Sequence, residues 1–161
     1  MEGKKSHPRA LLVFGAPCSG KTTFCEKFAQ KFNLGYFNLS EIRDEYSLSR
    51  DFILILIEQL AKTSHSLVFE GEIATEKERK EIIQILRTAG YSTAIVWIQT
   101  DVATIRSRLK MRHHSIQKAK AAYDAAVAEL EAPSDLERPI ILSGKHTFET
   151  QSKHVIAGLA R

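Results

Sequence analysis

The chain has 161 residues, of which 43% are hydrophobic and 26% charged, with a net charge of +4 and an isoelectric point near 9.1. This is the composition of an ordinary globular protein, long enough for one domain with a real core, expected to span 1–161 with residues 1–8 as a flexible N-terminus. Cys18 and Cys25 form no C-x-x-C pair and no His/Cys cluster, which excludes a structural zinc site.

In chain order, Ala10–Phe14 is a short apolar run that predicts a buried strand. It is far too short for a signal peptide or a membrane span, so a reduced, cytoplasmic setting is expected. The octet Gly15-Ala16-Pro17-Cys18-Ser19-Gly20-Lys21-Thr22 follows and fits the phosphate-loop pattern G-x-x-x-x-G-K-[ST] at every fixed position. Phe24, Phe28, Ala29 and Phe32 then recur at helical spacing and predict a helix over Lys21–Phe32. A strand that turns through glycines into a helix N-terminus aims several backbone N–H groups at one spot, which suits a triphosphate. Residues from Gly15 to Thr23 are therefore candidate nucleotide ligands. Lys21 is placed to reach the β- and γ-phosphates, and the Thr22 hydroxyl to ligate Mg²⁺. Cys18 holds a variable position and is read as a bystander.

Gly35–Leu39 predicts a second strand and Ser40 opens a short helical segment. Phe52–Leu60 is predicted helical, with Ser49 or Asp51 as its cap, because its apolar pattern runs on through Ala61. Ser66–Glu70 predicts a central strand buried on both faces. Thr75-Glu76-Lys77-Glu78 is a capping box that opens a helix ending at Gly90. On that helix Ile82, Ile83, Ile85, Leu86 and Ala89 form the expected buried stripe, and Glu76, Lys77, Lys80 and Glu81 the solvated face. Ser92–Gln99 predicts a fourth strand. Asp101 caps a helix to about Met111, Lys118–Leu130 is helical until Pro133 stops it, Pro139–Ser143 is the last strand, and Phe148–Leu159 the last helix.

Strands alternating with helices imply an α/β, three-layer P-loop NTPase fold: a five-stranded parallel sheet with helices on both faces. Its ligand crevice lies beyond the C-terminal ends of the strands. The polar residues that follow a strand are thus candidates to face the phosphate loop: Asn38, Ser40, Glu41, Arg43, Glu70, Glu72, Thr100, Asp101, Ser143 and Lys145.

The chain has no N-K-x-D base-reading motif, no LSGGQ-like transporter signature and no paired acidic motor motif. From Ala10 to Leu159 it resembles the nucleoside-monophosphate-kinase-like group of small P-loop kinases, including polynucleotide-kinase and zeta-toxin-like proteins. The resemblance implies roles in a fixed order along the chain. Ser40-Glu41-Ile42-Arg43 stands where such kinases carry D-x-x-R, with serine in place of the first acid. Glu70-Gly71-Glu72 is similar to the E-G-T of zeta-toxin-like sugar kinases. Arg108 and Arg112 fit R-x-x-x-R on a lid helix, the lid covering about 110–118, with Arg106 one step off that spacing. Ser143–Thr147, with Lys145, resembles the adenine-contacting loop.

On this reading ATP and Mg²⁺ are the cofactors. Lys21, Arg108 and Arg112 would spread the transferring charge, and Glu70 would hold Mg²⁺ through water or take the acceptor's proton. Ser40, Arg43 and Glu72 would meet the acceptor. Plainer roles stay open: Glu70 as a brace for the loop, Arg43 as a salt bridge with Glu45 or another acid, Arg108 and Arg112 as a solvated helix end, and His113 and His114 as lid residues without chemistry. Neither acceptor subtype is complete, since Ser40 is a poor base and Ala74 stands where monophosphate kinases place an arginine, with Arg79 the nearest candidate. Two carboxylates beside the γ-phosphate position, with Glu41 and Asp44 near Arg43, point to a small neutral or sugar-like hydroxyl acceptor with Glu70 or Glu72 as base. A polynucleotide 5′-hydroxyl kinase and a nucleotide-binding regulator without kinase activity are the alternatives. Nucleic acid is possible but not favoured, because no concentrated Lys/Arg tract with interleaved aromatics occurs, and no membrane partner is expected.

Overall fold

The computed structural model describes residues 7–112 and 115–160. His113 and His114 lie outside these, as do residues 1–6. Five strands, β1 (Arg9–Phe14), β2 (Gly35–Asn38), β3 (Leu67–Glu70), β4 (Ser92–Gln99) and β5 (Ile140–Ser143), form one parallel sheet in the order β2-β3-β1-β4-β5. The helices are α1 (Lys21–Phe32), α2 (Leu39–Glu45), α3 (Arg50–Ala61), α4 (Glu76–Thr88), α5 (Val102–Arg112), α6 (Ile116–Ala128) and α7 (Phe148–Leu159).

Alternation along the strands splits the core between the two faces. Leu12, Phe14, Phe69 and Ile95 point to one face and meet Ile53 and Ile57 of α3 and Ile82 and Leu86 of α4. Leu11, Val13, Val68, Val96 and Ile98 point to the other and meet Phe24 and Phe28 of α1 and Val155 of α7. Every residue of β3 is buried, as its apolar run requires for a strand flanked on both sides. A third, small cluster of Ile105, Leu109 and Ala119 ties α5 to α6 and touches Ala16 and Cys18 of the phosphate loop.

Local signals set most of the boundaries. Ser49 caps α3 by accepting from Phe52 N–H, and Thr75 and Glu78 exchange both bonds of the capping box. Asp101 caps α5 through Thr104 N–H at 2.9 Å. Three expectations are corrected. Leu39 belongs to α2 rather than β2, because Asn38 accepts from Glu41 N–H and starts the helix one residue early. Ala89 is exposed and stands at the C-cap, where the backbone leaves the helix before the apolar stripe reaches it. Helix α6 begins at Ile116 under a Ser115 cap and ends at Ala128, five residues before Pro133, so the proline is not what stops it.

Arg79, the nearest candidate for a monophosphate-binding arginine, is corrected to a core residue: it lies on α4 beside the polar face and is fully buried. Its guanidinium pairs with Glu137 through Nε at 2.7 Å and Nη2 at 3.1 Å. It also donates to the carbonyls of Ile73, Ala74 and Glu131, and stacks over Phe14 at 4.8 Å. One side chain thus joins the loop after β3, the last residue of β1 and the connection from α6 to β5.

Candidate active site

Phosphate-loop geometry begins at Gly15, where a Cβ would collide with the Ile98 carbonyl oxygen, so only glycine lets β1 leave the sheet this closely along β4. Cys18, at φ 58°, takes a left-handed conformation that L-residues rarely adopt, and Gly20 does so at φ 102° immediately before α1. Such strain persists only where surroundings hold it, and Arg108 supplies a hold by donating to the Cys18 carbonyl at 2.9 Å. Arg108 also reaches the Gly144 carbonyl at 3.4 Å, bridging the phosphate loop to the loop after β5.

Lys21 folds back onto its own loop, donating to the Ala16 carbonyl at 2.9 Å. Burial draws its ammonium below the usual lysine value, against the opposing pull of the Glu70 carboxylate. Thr22 donates its hydroxyl to Glu70 Oε1 at 2.8 Å, and Tyr36 donates to Oε2 at 2.7 Å. Glu70 is therefore a buried carboxylate held from both sides at the end of β3. Burial, and then the bond to Glu70, push the Tyr36 phenol above its ordinary value, so it stays a donor at neutral pH. Sequence reading missed Tyr36, because nothing in the short run Gly35–Asn38 says which side chain of the strand turns toward β3.

Glu72 sits two residues on, at φ 58°, with a side chain only 4% exposed. Its carboxylate accepts from Arg43 at 3.0 Å and from Ser40 at 3.3 Å, and faces Arg50 at 3.6 Å. Gly71 is required beside it, since its φ is 84° and a Cβ there would strike Ser40. Ser40, Arg43 and Glu72 are thus brought together as one group. Arg43 pairs with Glu72 and Asp44, not with Glu45. The expected acidic acceptor side is corrected by Arg50, which the sequence reading passed over. It meets Glu72, Glu78 and Glu81 and offsets the charge that Glu72 would otherwise present.

A cavity of about 540 Å³ opens beside the phosphate loop, lined by Cys18, Gly20, Thr23 and Phe24 on one side. Arg108, Met111 and Arg112 of α5, with Gly144, His146 and Thr147, form the other. The resemblance to an adenine-contacting loop thus lands on this cavity at three of its five residues. Lys145 is not among the lining residues: its ammonium pairs with Asp101 at 2.6 Å, holding that carboxylate below its usual range. Arg106 is also elsewhere, exposed on another side of α5. Asn38 and Asp101 are spent as helix caps, Ser143 accepts from Lys145 N–H, and Thr100 donates to the Ser19 carbonyl at 3.0 Å.

The AAA domain family matches residues 11–133, the stretch from β1 through the phosphate loop to the end of the α5–α6 pair. No curated protein matches the chain. Among solved structures, a gluconokinase from Sinorhizobium meliloti 1021 superposes with a TM-score of 0.73 at 17% identity, covering 98% of this chain and 94% of that one. The Mycobacterium tuberculosis APS kinase CysC, in complex with AMPPNP and APS, gives 0.67 at 15% identity over 96% and 99%. Chaetomium thermophilum Kti12, in complex with ADP-AlF3, gives 0.71 at 14% identity over 94% and 97%. With its central strand order, its phosphate loop and the family match across most of its length, the chain belongs to the AAA domain family and has the fold of a small nucleoside-monophosphate-kinase-like P-loop protein.

Proposed function

We propose that the protein is an ATP-dependent phosphotransferase that moves the γ-phosphoryl group to a hydroxyl of a small neutral or sugar-like acceptor. The observation that carries this reading is the Thr22–Glu70 pair, which sets a fixed carboxylate against the phosphate loop at the end of β3. The similar folds of a gluconokinase, a sugar kinase and an APS kinase support the general chemistry.

Phosphoryl transfer needs positioning and charge neutralisation more than covalent help from the protein. The backbone N–H groups at the start of α1 receive the β- and γ-phosphates, and Lys21 exchanges its Ala16 carbonyl for a phosphate oxygen. Arg108 and Arg112, on the cavity wall, spread the transferring charge. Mg²⁺ fits the donor set, since the Thr22 hydroxyl offers a hard oxygen of the kind it takes beside nucleotide phosphates. Glu70 would hold it only through a water, which leaves the carboxylate able to take a proton. When bound, the metal neutralises phosphate charge. Glu70 keeps two of its four lone-pair sites free and is assigned as the base that receives the acceptor's proton. Glu72 is committed to Arg43, Arg50 and Ser40, so its part is to fix Arg43 at the acceptor's edge.

A monophosphate acceptor is disfavoured for a reason the ion pairs supply. A phosphate dianion calls for unshared arginines, and each described arginine near this side already serves carboxylates: Arg43 with Glu72, Arg50 with three acids, and Arg79 with Glu137 in the core. The experiment is ATP turnover against nucleosides, sugars and amino-alcohols beside nucleoside monophosphates and a no-acceptor control. Acceptor-dependent ADP release with one hydroxyl class is expected. Efficient transfer to a monophosphate would overturn the acceptor reading, and nucleotide binding without turnover on any acceptor would leave the regulator.

A further inference from the structure

We propose that α5 and α6 together carry a binding surface for single-stranded nucleic acid, on a face of α5 other than the one that lines the cavity beside the phosphate loop. From Val102 to Tyr123 the sequence holds six Lys and Arg residues and no Asp or Glu. This stretch alone carries +6, against +4 for the whole chain, so the remainder is net negative. The mild overall charge hides a concentrated one, which corrects the expectation of no concentrated Lys/Arg tract, although no aromatic is interleaved in it before Tyr123.

The six cations divide by face. Arg108 and Arg112 line the nucleotide-sized cavity. Arg106 and Lys110 lie about 200° around the helix from their neighbours Arg108 and Arg112, so they face another way. With Lys120 of α6 they rim a separate cavity of about 250 Å³, in which Leu109 and Ala119 are buried at the bottom and Ile116 stands exposed at the edge. Arg106, Lys110, Lys118 and Lys120 are all exposed, and none is ion-paired among the described residues.

A solvated helix end does not account for this arrangement. Cations at the C-terminus of α5 complement its dipole, but Lys118 and Lys120 occupy the first turns of α6, which has no acid there. The dipole opposes positive charge at that place, so these two lysines raise a potential that an anion would relieve. The shape selects among anions. Ile116 is the one exposed apolar side chain of the recess, and it offers an unstacked base a surface to lie against, with phosphates on the cationic rim. A bilayer would require a continuous apolar face, and a single exposed isoleucine among four cations is not one. This inference rests on no reading of the phosphate-loop chemistry.

The test is fluorescence anisotropy with a labelled single-stranded RNA of about 20 nucleotides, titrated between about 50 and 200 mM salt. A non-hydrolysable ATP analogue with Mg²⁺ is kept saturating, so that the oligonucleotide cannot report through the phosphate loop. With about four phosphates engaged, log K should fall against log salt with a slope near −3, at about −0.7 per contact. The triple variant Arg106→Gln, Lys110→Gln, Lys120→Gln should reduce that slope by about 2. Its thermal shift with the ATP analogue should stay unchanged, which also reports that it folds. A control that changes three exposed lysines elsewhere, Lys62→Gln, Lys77→Gln and Lys80→Gln, should bind RNA like the parent. Absence of salt-dependent binding, equal loss in the control, or binding to phosphatidylserine vesicles without binding to RNA would each overturn the proposal.

Discussion

Thr22 donates its hydroxyl to Glu70 at 2.8 Å, tying the second residue of α1 to the last residue of β3. The bond spans two elements that a nucleotide must also bridge, and Tyr36 fixes the far oxygen of the same carboxylate. Tyr36→Phe removes a hydrogen bond to a charged, buried acceptor, which contributes about 1.5–3 kcal/mol. A lower denaturation midpoint, with ATP binding retained, is the expected result. An unchanged midpoint would show that Glu70 is held by Thr22 alone.

Nucleotide binding is expected to stabilise the fold by mass action. ATP with Mg²⁺ at one hundred times its Kd adds about 2.7 kcal/mol, read as a rise in Tm. Lys21→Ala removes the ammonium that otherwise meets the phosphates, so most of that rise should disappear. A folded Lys21→Ala protein with the full thermal shift would defeat the assignment of the loop.

Arg108 and Arg112 should separate binding from turnover. Each faces the cavity wall, so replacement by Ala is expected to lower kcat by roughly tenfold or more while Kd for ATP changes little. Arg108 has an additional tie to the strained Cys18 backbone, and its loss should also reduce Tm, whereas that of Arg112 should not. Equal turnover in parent and variants would return both residues to a solvated helix end.

Arg79 and Glu137 make the strongest stability prediction. Removing one partner of a buried ion pair costs at most about 3–5 kcal/mol, and here Arg79 is fully buried while Glu137 keeps some exposure. Arg79→Ala should still unfold far more readily than Lys80→Ala, whose partner Glu76 is at the surface. Burial disfavours the Glu137 charge, but Arg79 and the Ser134 N–H outweigh it and hold the carboxyl below 4.5. A depressed folded value contributes stability that is complete above the unfolded pKa and is lost as pH falls through the folded one. Acid titration of Tm should therefore show a decline beginning near pH 4.5, and Glu137→Gln should flatten it. An identical acid limb in that variant would refute the linkage.

What sequence could and could not reach follows from distance along the chain. Helices Lys21–Phe32 and Phe148–Leu159, the Thr75–Glu78 capping box and strand Ser92–Gln99 depend on neighbours within a few residues, so period and cap chemistry are enough to find them. The phosphate loop is equally local. Arg79 is not, because the partner that justifies burying it lies 58 residues away and beyond α6. Arg50 likewise meets Glu81 across 31 residues, and its effect on Glu72 could not be read from the Glu70-Gly71-Glu72 triplet itself. Side chains that tune the acceptor side are those whose partners the fold, rather than the local pattern, supplies.

Glu72 carries the last prediction, which concerns selectivity. Its carboxylate, 4% exposed and at a left-handed backbone angle, gathers Arg43 and Arg50 into one closed group. Glu72→Gln keeps the side-chain length and the acceptor oxygen for Ser40 but removes the negative charge that engages both guanidiniums. Arg50 retains Glu78 and Glu81, so it should stay in place, whereas Arg43 keeps only the exposed Asp44. One arginine is then released toward the acceptor cleft. Transfer to the parent's hydroxyl acceptor is expected to weaken through a higher KM, with kcat much less affected, because Glu70 is untouched. Acceptors bearing a carboxylate or phosphate should bind better in the variant than in the parent, since the freed guanidinium offers a bidentate partner. The measurement is kcat and KM for a neutral and an acidic acceptor in both proteins. A loss confined to kcat would instead make Glu72 the base, and no change in the ratio between the two acceptors would show that Arg43 does not face the cleft.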